Sequence, residues 1–146
     1  MQTPAPVTPR PLGRSHIGRL TWVGLLAIVT ATVVNVLIGY LEVTFLDISN
    51  LFSPLNGYGT KVPFSVIGVA GATVVYALVT RYSRSPMRLF LWVAGAALAL
   101  SFVPDILLLA FSVPGATPIS VGVLMLLHVA AFIISVGMLT RLVPPS

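Results

Sequence analysis

Three polar residues stand out because each lies inside a long apolar run. Asp105 follows Ser101-Phe102-Val103-Pro104, His128 closes Leu124-Met125-Leu126-Leu127, and Asn35 follows Val33-Val34. An ionisable group at hydrocarbon depth is costly unless it is paired or wetted, so such residues mark functional sites. A carboxylate beside an imidazole can relay a proton or act as acid and base, and an amide can orient a ligand carbonyl. Ser101 lies one helical turn before Asp105 and adds a fourth polar group to the same face. The structural alternative is that Asp105 bonds His128, Ser101 or the backbone freed by Pro104 and holds helices in register. Glu42 falls near the expected outer membrane surface, as a rim residue where water can reach a carboxylate.

These residues need elements to carry them, and composition says which. The chain has 146 residues, of which 57% are hydrophobic and only 8% charged, with a mean hydropathy of +1.03. A soluble domain carries about a quarter charged residues, so the polar surface is too small to cover a water-exposed globule. The class is integral membrane protein, all-α. Four apolar runs, 20–46, 62–80, 89–113 and 118–140, each come close to or exceed the roughly 20 residues that cross a bilayer. The expected architecture is an antiparallel bundle, up-down-up-down. Residues 89–103 alone are too short to span, so the third helix must pass through Pro104 with a kink, which membrane helices tolerate when neighbours satisfy the freed carbonyl. Ser85-Pro86 reads as its N-cap and first helical residue. Residues 1–18, with Pro4, Pro6, Pro9 and Pro11, read as a disordered cytoplasmic tail. The first apolar run is longer than a signal-peptide core and is expected to be retained as a helix.

Basic residues set the expected topology. Arg10, Arg14 and Arg19 precede the first helix, Arg81, Arg84 and Arg88 form the turn between the second and third, and Arg141 ends the fourth. Lys61 alone lies on the other side, which puts both termini in the cytoplasm of a cell inner (plasma) membrane. The 81–88 turn can also touch anionic headgroups. This distribution explains the basic excess without nucleic acid. Between the first two helices, the semi-apolar loop from Asp47 to Lys61 reads as an interfacial partial lid.

Helical rise then places the polar residues. Counted from the nearest basic residue, Asn35 lies about 24 Å, Asp105 about 25 Å and His128 about 20 Å into the membrane. Three helices thus bring polar groups to one depth. On the first helix Gly24, Ala27, Ala31, Asn35, Gly39 and Glu42 form a small-and-polar stripe of the kind that faces neighbouring helices. Ser65, Gly68 and Ala72 are the matching stripe of the second, and His128, Ala131 and Ser135 share a face of the fourth.

Several chemistries are excluded. There are no cysteines, so thiol catalysis and thiolate metal sites are absent. A haem needs two axial ligands, and His16 lies in the tail while Met125 sits one turn from His128 on the same helix. Asp105, His128 and amides make too poor a set for a metal. No glycine-rich phosphate loop is present. No cofactor is called for.

Val33-Val34-Asn35, the Arg81-Tyr82-Ser83-Arg84-Ser85-Pro86 turn, Leu100 to Asp105, and Leu124 to His128 together resemble a family of small bacterial four-helix membrane proteins of unknown function. The resemblance covers residues 19–142 and implies the architecture, with no activity attached. Three functions fit the pattern. The first is a binding or accessory protein that holds a lipid-like ligand or a partner helix at the polar patch. The second is a small oligomeric proton-coupled transporter. The third is an intramembrane enzyme using Asp105 and His128 on a lipophilic substrate. The lack of a catalytic motif favours the first.

Overall fold

A computed structural model describes residues 14–46, 51–55 and 58–144. Four helices make up nearly all of it: α1 (Arg14–Phe45), α2 (Tyr58–Tyr82), α3 (Pro86–Ala110) and α4 (Pro118–Leu142). Each contains a stretch long and apolar enough to cross a membrane. Exposed Leu, Val, Ile and Phe side chains cover their outer faces, as expected of helices solvated by lipid. The chain is an all-α four-helix bundle.

The boundaries differ from the expected ones in instructive ways. α1 starts at Arg14 rather than Leu20, so residues 14–18, read above as part of a disordered tail, are helical. Pro11 is the last proline of that segment, and beyond it nothing opposes helix. Counting apolar residues missed this polar first turn. The remaining tail, residues 1–13, and Asp47 of the first loop lie outside the described residues. α3 runs unbroken through Pro104 and ends at Ala110 rather than Val113. It stops because Ser112 adopts a positive φ of 51°. The Ser112 and Val113 amides turn back to the carbonyls of Leu109 and Leu108, both at 3.1 Å, a Schellman closure of the last turn. At its other end, Ser85 holds the N-cap position, but its side chain makes no capping bond. Instead, Ser83 Oγ accepts the Ser85 amide at 3.2 Å. α4 starts from a full capping box, with Thr117 and Ser120 each accepting the other's amide and Pro118 in the first turn.

Packing runs in three layers. At the end that carries the arginine turn, Leu20, Val23, Tyr76, Phe90, Leu139 and Val143 form one cluster. Tyr76 is its centre: its ring meets Phe90 edge-on at 4.8 Å, and its hydroxyl donates to the Val143 carbonyl just past α4. In the middle, Ala27 and Ala31 let α1 close against Val69 and the α4 residues Ala131 and Ile134. At the loop end, Phe52 and Leu55 of the first connection insert against Val121, Val123 and Leu127. The two end clusters thus unite the start of α1 with the end of α2, and the end of α3 with the start of α4, which fixes the up-down-up-down order.

α1 packs on α2 and α4, and α3 packs on α2 and α4, while α1 and α3 do not meet. α3 is the loose member. Its only buried residues are Phe90, near one end, and Asp105, towards the other.

Residues 51–55 of the first loop are docked on the bundle rather than merely interfacial. Gly115, at φ +77°, lies so close beneath it that a Cβ there would sit 2.7 Å from the Phe52 backbone nitrogen. Gly115 serves two needs at once, a left-handed turn and a backbone-to-backbone contact. Gly115→Ala is expected to lower stability by about 2 kcal/mol or more, from αL strain plus the overlap. Reversible unfolding in mixed micelles checks this, and an unchanged midpoint would contradict the docked loop.

Candidate functional site

Of the sequence-selected residues, Asp105, His128, Ser101 and Asn35 border one cavity of about 830 Å³ between α2, α3 and α4, with Asn35 of α1 at its back wall. Its existence follows from side-chain size. Gly68, Gly71 and Ala72 of α2 face Ala94 and Ala97 of α3, and neither glycine has any atom within 4 Å of where a Cβ would stand. Between its anchors at Phe90 and Asp105, α3 therefore stands away from α2. The rims of both helices are exposed, Ile67 at 66% and Val93 at 39% among them, so the cavity opens sideways between α2 and α3. Along α2 it runs from Lys61 to Val75, about 21 Å at helical rise. Ser53 and Pro54 of the docked loop border its loop end.

Asp105 and His128 do meet. Asp105 is buried, and its Oδ2 lies 3.3 Å from His128 Nδ1. The same nitrogen is 2.9 Å from the Leu124 carbonyl. A carbonyl only accepts, so Nδ1 carries a proton and donates it to that carbonyl, with the aspartate alongside at ion-pair distance. In the neutral ring Nε2 is then an acceptor. The His128 side chain stays 37% exposed, while Asp105 Oδ2 has no hydrogen-bond partner among the described residues.

Asn35 is buried, but its bond goes to α2: Nδ2 donates to Ser65 Oγ at 2.8 Å. Ser65 passes its own proton to the Lys61 carbonyl at 2.8 Å. Asn35 Oδ1 is left with no partner among the described residues. Ser101 does not reach Asp105 by a hydrogen bond; its hydroxyl donates to the Leu98 carbonyl at 2.7 Å. Ser135, on the opposite wall, does the same to Phe132 at 3.1 Å.

Glu42 requires a correction. Expected as a wetted rim residue, it is 2% exposed and pairs with Lys61, itself 8% exposed. Lys61 was read only as a flanking charge. It extends back across α1 instead, over Gly39, where a Cβ would overlap the lysine side chain. The available signal was the pairing of Gly39 with Glu42 on one stripe, opposite the sole lysine of the chain. Lys61 borders the cavity too. The α2 stripe also needs correction: Ser65 is buried, but Val69, Tyr76 and Thr80 continue the buried face, while Gly68 is exposed. The arginines Arg81, Arg84 and Arg88 are exposed at the far end, with Arg81 stacked on the Tyr82 ring at 5.4 Å, and take no part in the cavity.

A family model matches residues 15–144, nearly the whole chain, and its description is a family of unknown function, DUF6069. The chain belongs to the DUF6069 family. No curated protein and no solved structure matches it. Membership in DUF6069 attaches no activity to the cavity, so its chemistry has to be read from the residues. A wall of small and apolar side chains suits a lipophile. The polar groups collect where Asn35, Lys61, Asp105 and His128 come to the wall, near the docked loop.

The buried Lys61–Glu42 pair generates a prediction. Removing one partner strands the other charge, which typically costs about 3–5 kcal/mol. Lys61→Met is expected to destabilise on that scale, and adding Glu42→Leu is expected to restore most of the loss. Unfolding titrations of the single and double variants measure it. Equal destabilisation in both would show that the pair is not coupled.

Proposed function

We propose that this protein is an intramembrane binding protein that holds a lipophilic molecule in the cavity between α2, α3 and α4. The observation that carries the reading is the cavity: about 830 Å³, walled by small and apolar residues, with Asp105, His128, Asn35 and Lys61 on its border. Ligand pockets commonly enclose roughly 300–1,000 Å³ and combine an apolar lining with a few convergent polar groups. A sideways opening between two membrane-spanning helices admits a molecule dissolved in the bilayer, which never has to cross water. The Asp105–His128 contact and the Asn35 amide provide the polar end that orients it.

The same reading sets the protein in its membrane. The arginines of α1, of the α2–α3 turn and of the α4 end share one side, which supports placing both termini in the cytoplasm and the docked loop outside. The polar end of the cavity then belongs to the outer half of the bilayer of the plasma membrane.

Gly71 offers a clean test, because open space surrounds it and a side chain there fills the cavity without a clash. A neutral alkyl diazirine in lipid nanodiscs is expected to label buried wall residues such as Ser135 and Leu127 in the native chain. Gly71→Leu is expected to cut that labelling by roughly tenfold, the effect of about 1.4 kcal/mol of lost affinity, while labelling of lipid-facing Trp92 persists. Labelling confined to the outer faces of the helices would overturn the proposal.

A further inference from the structure

The polar groups bordering the cavity are biased in one direction. Ser65, Ser101 and Ser135 all border it, and all three spend their hydroxyl protons on helix carbonyls: those of Lys61, Leu98 and Phe132. Each keeps only oxygen lone pairs to offer. Asn35 spends an amide proton on Ser65, and its Oδ1, though the residue is only 5% exposed, has no partner among the described residues. Asp105, 4% exposed, holds a buried Oδ2 with no hydrogen-bond partner among the described residues. Pro104, also on the wall, has no amide to give, so the Leu100 carbonyl loses its helical donor. Against these acceptors stand three donor residues, the third being Ser53 at the loop end of the cavity. Lys61 pairs with Glu42, and the His128 Nδ1 proton goes to the Leu124 carbonyl, with Asp105 alongside at ion-pair distance.

Charge points the same way. Lys61 and Glu42 cancel. Asp105 with a neutral His128 leaves one negative charge, and with an imidazolium it leaves none. In neither state is the polar end positive. A phosphate or carboxylate headgroup would meet few donors there, most of them already engaged, and would face the Asp105 carboxylate, a strongly unfavourable juxtaposition away from water. A group that brings its own protons meets unpartnered acceptors, and buried acceptors without donors are costly until supplied.

From this we infer that the cavity takes an amphiphile whose head donates hydrogen bonds, a long-chain alcohol or a long-chain ammonium, and that it rejects anionic lipids. The inference rests on the binding reading above and specifies its ligand. Asn35 Oδ1 and Asp105 are the residues that select the head, and the small-residue wall takes the chain.

The test uses the full chain in zwitterionic nanodiscs and three photoreactive probes of equal chain length, an alcohol, an amine and a carboxylate. Labelling of Ser135 and Leu127 is quantified by mass spectrometry. The alcohol, the amine or both are expected to exceed the carboxylate by about tenfold, the scale of one hydrogen bond to a charged group. Asp105→Asn keeps the shape and removes the charge. It is expected to cut amine labelling by about tenfold and to leave the alcohol within a few-fold, which separates the two head chemistries. Asn35→Leu is expected to reduce labelling by both, with unchanged helical circular dichroism and elution as the folding control. Equal labelling by all three probes, or preference for the carboxylate, overturns this inference and leaves the binding reading standing. Absence of wall labelling by every probe overturns both.

Discussion

Two buried side chains, Phe90 and Asp105, anchor α3 to the rest of the bundle, and the shape of the molecule depends on their separation. Near the arginine turn, Phe90 packs edge-on against Tyr76. Towards the loop end, Asp105 reaches His128. Between them α3 presents Ala94, Ala97 and Leu98 to the small residues of α2. In water such a gap would collapse, because apolar surface would be driven together. In a bilayer there is little such force, since lipid tails solvate apolar side chains as well as another helix does. A helix pinned at two points can therefore stand off its neighbour and leave a laterally open cavity.

The remaining three helices are closely packed by contrast. α1 buries Ala27 and Ala31 completely, and a Cβ on Gly24 would lie 2.7 Å from Thr73 Cγ2 of α2. Close backbone approach multiplies dispersion contacts, which is the main source of helix association in lipid. The loop residues Phe52 and Leu55 complete this half by filling the end of α4. The result is a firm wall formed by α1, α2 and α4, against which α3 forms one sparsely buried side.

Sequence reasoning succeeded where a constant of helical geometry carried it. The fixed rise per residue predicted that Asp105 and His128 share a depth, and they meet at 3.3 Å. The 3–4 spacing of Gly24, Ala27, Ala31, Asn35, Gly39 and Glu42 predicted the inner face of α1, and every member is buried. It failed where side-chain reach or helix rotation mattered. Lys61 was counted as a flank charge because a hydropathy pattern records where a residue begins and not where its ammonium ends. Glu42 was then left without its partner and assigned to water. Ser101 shares a face with Asp105, yet its hydroxyl turns to its own helix, a local competition that spacing does not reveal. Asn35 borders the same cavity as Asp105 but bonds α2, because Ser65 lies nearer. The exposed side of Gly68 was misjudged for another reason: small residues signal either close packing or open space, and only the neighbouring helix decides which.

The distribution of the polar pairs explains how such a chain can assemble in hydrocarbon. Glu42 ends α1 and pairs with Lys61 at the start of α2; Asp105 lies late in α3 and pairs with His128 of α4. The Asn35–Ser65 bond also joins α1 to α2. Each helical hairpin thus places its carboxylate on the first helix and the base on the second, close to its own turn. Glu42 and Asp105 are each matched within a hairpin, at short chain separation, where closure costs little entropy. Contacts between the hairpins are almost wholly apolar, through Ala27, Ala31, Phe52 and Phe90, with the Tyr76 hydroxyl on the Val143 carbonyl as a polar latch. Two hairpins that enter the membrane with their charges already paired need no buried ion pair to find each other. They can meet through shape alone, and an interface set by shape is free to leave room for something else.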